Sequence, residues 1–308
     1  MGVIMVAEMA GFSSSKKIKP NGTQRVNPIV HEEKVVISGL EKEFEIMFLT
    51  DTHISLCDDR DPDLIEKAQA RYEIFRNKSG VGADESFRGM IAYIAEEQPD
   101  LLILGGDIVD SAMWASIDLV QEQLNELQLP WVYGMGNHDF EYGGEYYTEK
   151  AYTEYLPRFN SISDTQNGYQ LIEYERFFVV VADDACNRVS PEAADMMESL
   201  ARGEKPVILV THVPIEPLED DVLWEATKEF WGESEDGHSR VLMGPNSCYP
   251  NEATQRFLDS VLMEDSAVVL VLAGHIHFYH RDKLSGDLVQ VATGAGFENN
   301  IVTVTLSP

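Results

Sequence analysis

Positive charge is scarce in this 308-residue chain. Lysine and arginine total 23 against 53 aspartates and glutamates, which gives a formal net charge of −30 at pH 7. Such a surface repels the phosphate backbone of nucleic acids and the anionic headgroups of lipids, so neither is expected as a partner. A small anionic substrate would need local positive charge at its binding site, and bound metal ions could supply it.

Cysteines and long apolar runs are scarce as well. The three cysteines, Cys57, Cys186 and Cys248, are odd in number, far apart and without a CxxC spacing. This pattern argues against a disulfide framework and a structural zinc knot, and it predicts a reducing, cytoplasmic location. No apolar run reaches the roughly 20 residues that a membrane-spanning helix needs, so no membrane association is expected.

Strands and helices alternate along most of the chain, which is typical of an α/β fold. Apolar runs bounded by turn residues predict strands at 35–38, 44–50, 101–104, 131–133, 177–182, 206–210 and 267–273, with short antiparallel strands after residue 278. Helical patterns and their flanking residues predict helices at 63–77, 84–97, 114–127, 191–201 and 251–263.

The alternating part is predicted to form one domain, residues 33–308, because no Pro/Gly/Ser-rich linker divides it. Residues 1–32 are predicted to be a poorly ordered extension, with a divergent signal sequence as the alternative. Residues 216–237, here called the acidic insertion, interrupt the alternation and are predicted to form a loop and a helix. The insertion begins four residues after His212, so we expect it to lie beside any site that His212 serves.

Five of the predicted strands are followed at once by residues that can bind metal ions, and sites in α/β sheets form at this end of the strands. The motifs are Asp51-x-His53, Gly106-Asp107 with Asp110, Gly136-Asn137-His138-Asp139, His212, and Gly274-His275-x-His277. Five of the eight histidines lie in these motifs, which concentrates a scarce ligand type at one predicted edge.

The residue types and spacings suit metal binding. In Asp51-x-His53 and His275-x-His277, residues i and i+2 of an extended segment point the same way, so both side chains could reach one small region. The glycines in three of the motifs allow tight turns and close backbone approach. A mixed oxygen and nitrogen ligand set suits Mn, Fe or Zn, and seven ligands are too many for one ion and about right for two.

Each motif taken alone also has an ordinary structural explanation. A lone Asp-x-His is usually a surface loop or a strand end, and Gly-Asn-His-Asp could be a turn. A single histidine such as His212 is more often packed or exposed than bound to a metal. The metal-binding interpretation therefore depends on the joint occurrence of the motifs, each directly after a strand.

In this order the motifs resemble the signature of the calcineurin-like metallophosphoesterase superfamily, over roughly residues 44–308. The resemblance implies a four-layer αββα sandwich of two mixed β-sheets flanked by helices, with a dimetal site at the carboxyl-terminal edge of the strands. It also implies a hydrolase of phosphate esters whose cofactors are two divalent or mixed-valence ions of Mn, Fe or Zn.

The resemblance implies a role for each motif residue as well. One ion would be held by Asp51, His53 and His277, the other by Asn137, His212 and His275, and Asp107 would bridge both. A bridging water, deprotonated by the two ions, would attack phosphorus in line. His138 would bind the phosphate or protonate the leaving oxygen as a general acid, and Asp110 would orient that imidazole and favour its charged form.

Two departures narrow the subfamily. Asp110 stands where purple acid phosphatases place a tyrosine ligand, and Ser111-Ala112 stands where Ser/Thr protein phosphatases have Arg-Gly. The motifs resemble more closely those of bacterial phosphodiesterase-type members. The expected substrate is a small phosphomonoester or phosphodiester, selected by loops at 58–86 and 216–250. A nuclease of the same superfamily and a non-catalytic metal-binding scaffold are the alternatives, and the oligomeric state stays open.

Overall fold

The computed structural model describes residues 26–140, 148–164, 167–218, 220–232, 243–244 and 251–308. Their strands form two mixed β-sheets. The first sheet consists of β1 (Ile29–Val36), β2 (Phe44–Leu49), β3 (Leu101–Gly105), β4 (Trp131–Gly134) and β11 (Asn300–Ser307). Its strand order is β1-β11-β2-β3-β4, and only the β11–β2 pair is antiparallel.

The second sheet is parallel at its centre and antiparallel at both edges. It consists of β5 (Tyr169–Glu173), β6 (Phe178–Ala182), β7 (Val207–Val210), β8 (Val268–Ala273), β9 (His280–Ser285) and β10 (Leu288–Ala292). The strand order is β5-β6-β7-β8-β10-β9. The pairs β6–β7, β7–β8 and β8–β10 are parallel, so β6, β7 and β8 all end at the same edge.

Helices connect the strands, and their ends follow local sequence signals. They are α1 (Ile65–Ile74), α2 (Ala83–Glu97), α3 (Trp114–Glu126), α4 (Glu149–Tyr155), α5 (Pro191–Ala201), α6 (Val222–Trp231) and α7 (Glu252–Leu262). Ser190 and Asn251 cap α5 and α7 by accepting main-chain N–H groups, as is usual for these residue types. In the described parts of the chain, no helix is both long and apolar enough to cross a membrane.

The two sheets pack face to face and carry helices on their outer faces. In β2, Ile46 and Phe48 pack in the cluster between the sheets, whereas Met47 and Leu49 pack against helices α2 and α3. This alternation is the period of a strand that is buried on both faces. The second sheet packs outward against α5 and α7. The four-layer αββα sandwich implied by the family resemblance is therefore confirmed.

The first strand differs from the prediction at 35–38. β1 begins at Ile29 and pairs along its whole length with β11, so residues 29–32 belong to the sheet rather than to the predicted extension. The start of β1 could not be recognised from the sequence, because its residues are partly charged and half-exposed and an edge strand needs no continuous apolar run. Residues 1–25 lie outside the described residues.

The C-terminal strands and one stretch of the middle also differ from the prediction. β9 and β10 form the expected antiparallel pair, but β10 also pairs in parallel with β8, and β11 crosses to the first sheet. Helix α4 and strand β5 were not predicted at all. Both are short, with 7 and 5 residues, and neither has enough turns or alternations to form a clear pattern.

Candidate metal centre

The five motifs meet at one edge, where the ends of β2, β3 and β4 face the ends of β7 and β8. Two hydrogen bonds join the sheets at this point. The ring of His212 lies with Nδ1 2.9 Å from the Gly105 carbonyl oxygen, and the main-chain N–H of His275 donates to Asp51 Oδ2 at 2.9 Å. Each sheet therefore fixes motif residues that belong to the other.

The imidazoles and carboxylates gather into three overlapping groups. In each group the potential ligand atoms lie within 4.8 Å of one another, and the groups are Asp51, His53 and His277; Asp107, His212 and His275; and His53, Asp110 and His138. The first group contains the three residues that the family resemblance implies for one ion, and the second contains His212 and His275 from the set implied for the other, together with Asp107. The third contains His138, which is expected to act on the substrate, and Asp110, which is expected to orient it.

Asp107 belongs to the second group and also lies near the first, so that one of its oxygens faces both. Its Oδ1 accepts the main-chain N–H of His138 at 2.7 Å. Its Oδ2 lies 3.1 Å from His212 Nε2 and 3.9 Å from His53 Nε2. Because Oδ1 is held by the backbone, Oδ2 is the oxygen that faces imidazole nitrogens of both groups.

Asn137 Oδ1 and His275 Nε2 are among the buried ligand atoms that have no hydrogen-bond partner in the described part of the chain. A buried polar atom without a partner costs about 1–3 kcal/mol, so such atoms need an explanation. A metal ion would supply the missing partner. Amide oxygen, carboxylate and imidazole together suit Mn, Fe or Zn, so the residues present fit a two-ion centre.

The backbone is left-handed at five motif residues. Asp51, His53, Asp107, His275 and His277 have φ of 54°, 50°, 51°, 70° and 64°, and they are five of the eight non-glycine residues with positive φ in the described ranges. Such conformations cost on the order of 1–3 kcal/mol each and concentrate at functional sites. The folded sheets hold the ligands in positions that the isolated chain would avoid.

This backbone corrects the assumption that the two i, i+2 motifs are extended. Asp51 and His53 converge on one group through two left-handed residues rather than through an extended segment. His275 and His277 belong to different groups of the same centre. The two residues of the first motif therefore contribute to one group, whereas the two histidines of the last motif contribute to one group each.

Glycine is required where the backbone passes close to the ligands. A Cβ at Gly136 would lie 2.3 Å from Asp107 Oδ1, and a Cβ at Gly274 would lie 2.5 Å from Asp51 Oδ2. Any other residue at these two positions would displace a carboxylate. The expected close approach of the backbone is confirmed there.

Asp110 is fully buried and organises the third group. Its Oδ1 lies 3.2 Å from the Nδ1 atoms of both His53 and His138. Arg71 donates to it with Nε at 2.6 Å and Nη2 at 2.7 Å, one bond to each carboxylate oxygen. His138 is the more exposed of the two histidines, with 21% of its side chain accessible against 0% for His53.

Burial and neighbours set the charges of this group. Burial alone would raise the pKa of Asp110, but hydrogen bonds from Arg71, His138 and His53 lower it, so the carboxylate stays ionised. Burial lowers the pKa of His53 to about 4 and that of His275 to about 3. Both rings are therefore neutral at pH 7, which is the form that binds metal ions.

Two buried carboxylates hold the main chain of the site by accepting hydrogen bonds, and the sequence did not predict this role for either of them. Asp139 accepts the main-chain N–H groups of Asp107 and Gly136, and thereby ties two motif loops together. Asp184 accepts the N–H groups of His212 and Val213 at 2.8 Å each. Asp184 is the second residue after β6, so a search for acidic residues and histidines just after the buried strands would have found it.

The acidic insertion lies beside the site, as its distance from His212 predicts. The Trp231 indole N–H donates to the Ile276 carbonyl at 2.8 Å, and its ring centre lies 5.4 Å from that of His277. Phe230 packs on Phe278 at 5.0 Å between ring centres. The described residues of the insertion thus pack on the loop that carries the last motif. Residues 219 and 233–237 lie outside the described ranges.

Comparisons with known proteins identify the family of this fold. The family model for calcineurin-like phosphoesterases matches residues 44–279. No curated protein sequence matches the chain. Among solved structures, a purple acid phosphatase from yellow lupin (Lupinus luteus) seeds has a TM-score of 0.50 at 13% identity, covering 84% of this chain and 45% of that one. A dimetal phosphatase from Danio rerio has a TM-score of 0.49 at 12% identity, covering 84% and 89%.

Proposed function

The chain belongs to the calcineurin-like phosphoesterase family and is a metal-dependent hydrolase of phosphoric ester bonds; from this premise we propose that it hydrolyses small phosphate monoesters or diesters at the centre around Asp107. The observation that carries the proposal is the position of Asp107 Oδ2, within 3.9 Å of imidazole nitrogens of two separate ligand groups. A carboxylate oxygen in that position suits a bridge between two ions.

The proposed ligands are the seven residues whose side chains gather there. One ion would contact Asp51, His53 and His277, the other would contact Asn137, His212 and His275, and Asp107 would contact both. Two divalent ions would neutralise the phosphoryl oxygens and acidify a water molecule for attack on phosphorus. Mn, Fe and Zn suit this donor set best.

His138 is proposed to act on the substrate. Asp110 occupies its Nδ1 side, and burial, which opposes protonation, is outweighed by Asp107 and Asp110, so the pKa of His138 is raised. A protonated imidazole at the open side of the centre would bind a phosphoryl oxygen or donate a proton to the leaving oxygen. Asp110 would hold that ring in place.

Small esters fit better than nucleic acids as substrates. The net charge of −30 opposes the approach of a polyanion, whereas a small ester needs positive charge only at the centre itself. The acidic insertion packs at the loop of His277, where it would limit the size of the group beyond the phosphate.

The test is an activity screen with a metal-stripped and Mn²⁺-reconstituted chain. The panel contains phosphomonoesters, linear diesters, cyclic nucleotides and pyrophosphates, and the metal content of the active protein is measured in parallel. We expect two ions per chain and activity that is lost in Asp107→Asn but kept in Asp195→Asn, an exposed aspartate on α5. One ion in the fully active protein, or full activity of Asp107→Asn, would contradict the proposal.

A further inference from the structure

Helix α1 contacts the centre through two residues that lie outside every sequence motif. Arg71 reaches Asp110, and Phe75 lies flat against the ring of His53, with 4.1 Å between ring centres and 3° between planes. Arg71 lies in the last turn of α1 and Phe75 is the C-cap residue four positions later, so the two share a face. The Arg71 guanidinium also sits 4.7 Å from the centre of the Phe75 ring, which joins the pair into one unit.

The Arg71–Asp110 contact fixes the carboxylate in both position and plane. Two parallel hydrogen bonds of 2.6 and 2.7 Å connect the guanidinium with both carboxylate oxygens. A two-pronged pair of this kind prevents rotation of the carboxylate, which a single bond or a point charge would allow. Rotation would remove Oδ1 from His53 and His138, the two rings it contacts at 3.2 Å.

Helix α1 therefore restrains His53 in two ways. Arg71 fixes the Asp110 carboxylate that contacts the ring at Nδ1, and Phe75 stacks on the face of the ring. Asp110 engages its Nδ1, which leaves Nε2 directed at the first ligand group, 3.0 Å from Nε2 of His277. Phe75 covers one face of the ring and is itself buried. A hydrogen bond on the far nitrogen of a metal-binding histidine sets its tautomer and orientation, and loss of such partners typically costs about 10–100-fold in metal affinity or activity.

We infer that α1 positions the metal centre: Arg71 and Phe75 are positioning residues that hold His53 directed at its ion and His138 directed at the substrate. The inference rests on the proposed function of this site and deepens it. It also assigns a second role to residues 58–86, which were expected from the sequence to act on substrate choice.

The first measurement is Mn²⁺ affinity by calorimetry, which does not require turnover. Arg71→Gln is expected to lower the affinity for one of the two ions by about 10–100-fold and to leave the affinity for the other unchanged. Arg76→Gln is the matched control, because Arg76 lies just after the same helix but contacts Glu73, the Gly80 carbonyl and the Tyr72 ring, none of which belongs to the ligand groups. Phe75→Leu is expected to lower the affinity for the same ion. Its control is Ile74→Leu, because Ile74 is exposed.

Arg71→Lys separates geometry from charge. Lysine keeps the positive charge but cannot make the two-pronged contact, so we expect an affinity below that of the wild type. Wild-type affinity in Arg71→Lys would overturn the inference that the planar contact matters. Unchanged affinity for both ions in Arg71→Gln would overturn the role of α1 as a whole.

A double-variant cycle guards against the cost of leaving Asp110 buried without its partner. In an Asp110→Asn background the Arg71→Gln change should cost little further affinity, because the carboxylate it positions is gone. Fully multiplicative losses would show that Arg71 acts by another route and would refute the inference. A wild-type chain that binds two ions but hydrolyses nothing on the panel would refute the proposed function alone.

Discussion

Removing the His138 imidazole tests the chemistry at the open side of the centre. In His138→Ala the main-chain N–H that donates to Asp107 Oδ1 remains, and Asp110 keeps Arg71 and His53 as partners. The metal ligands should therefore stay in place. Since 21% of the side chain is exposed, we also expect the folded state to tolerate the truncation.

The size of the loss should depend on the leaving group. A proton donated in the transition state typically contributes about 10²–10⁴-fold, and it matters most for an alkoxide, which leaves poorly without it. A hydrogen bond from a charged ring to the phosphoryl oxygen is worth about 1.5–3 kcal/mol, or roughly 10–150-fold, for every ester. If His138 both binds the phosphoryl oxygen and protonates the leaving oxygen, kcat/KM should fall further for alkyl esters than for nitrophenyl esters. The difference should equal the factor contributed by general acid catalysis.

The assay compares kcat/KM of the wild type and His138→Ala for a nitrophenyl ester and an alkyl ester of the same phosphate class. This quantity is used because slow product release would conceal the difference in kcat. Metal content is measured for both proteins. Equal losses for the two esters, at equal metal content, would refute the acid role and leave His138 as a phosphate-binding residue.

Three other changes probe separate parts of the structure. Asp107→Asn should reduce kcat more than Asp110→Asn and should lower metal content, because only Asp107 lies between both ligand groups; equal losses at equal metal content would contradict this assignment. Trp231→Ala should alter the relative rates across the substrate panel while two ions remain bound, since the indole packs on the His277 loop; unchanged relative rates would exclude a role in selectivity. Burial and, to a smaller extent, the charge of Asp220 raise the pKa of Asp282 to about 6. Ionisation of the Asp282 carboxyl group therefore destabilises the folded state as pH rises from about 4 to above 6. Asp282→Asn should therefore raise the free energy of unfolding by at most about 3 kcal/mol at pH 8 and by little at pH 4, measured by urea denaturation; an equal gain at both pH values would exclude this cause.

The central strands and the site motifs could be predicted from the sequence for one physical reason. Strands buried on both faces are continuous apolar runs, and in parallel sheets their carboxyl ends share one edge. The ligands follow these runs at once, so Asp51, Asp107 and His212 could be brought together without knowing the order of the strands.

Features that depend on distant pairing could not be predicted in this way. β1 is recognised only through β11, which is some 270 residues away, and Arg71 only through Asp110. The left-handed backbone at His275 and His277 likewise has no sequence signal, because histidine adopts that conformation only when the surrounding structure imposes it.

The strand order of the first sheet has a consequence for how the protein emerges from the ribosome. β11 (Asn300–Ser307) lies between β1 and β2, which are the first two strands of the described residues and are synthesised long before it. Until residues 300–307 leave the exit tunnel, β2 has an exposed edge and β1 has no neighbour. During synthesis the nascent chain therefore carries unpaired strand edges until β11 is available, and such edges are of the kind that chaperones protect from aggregation.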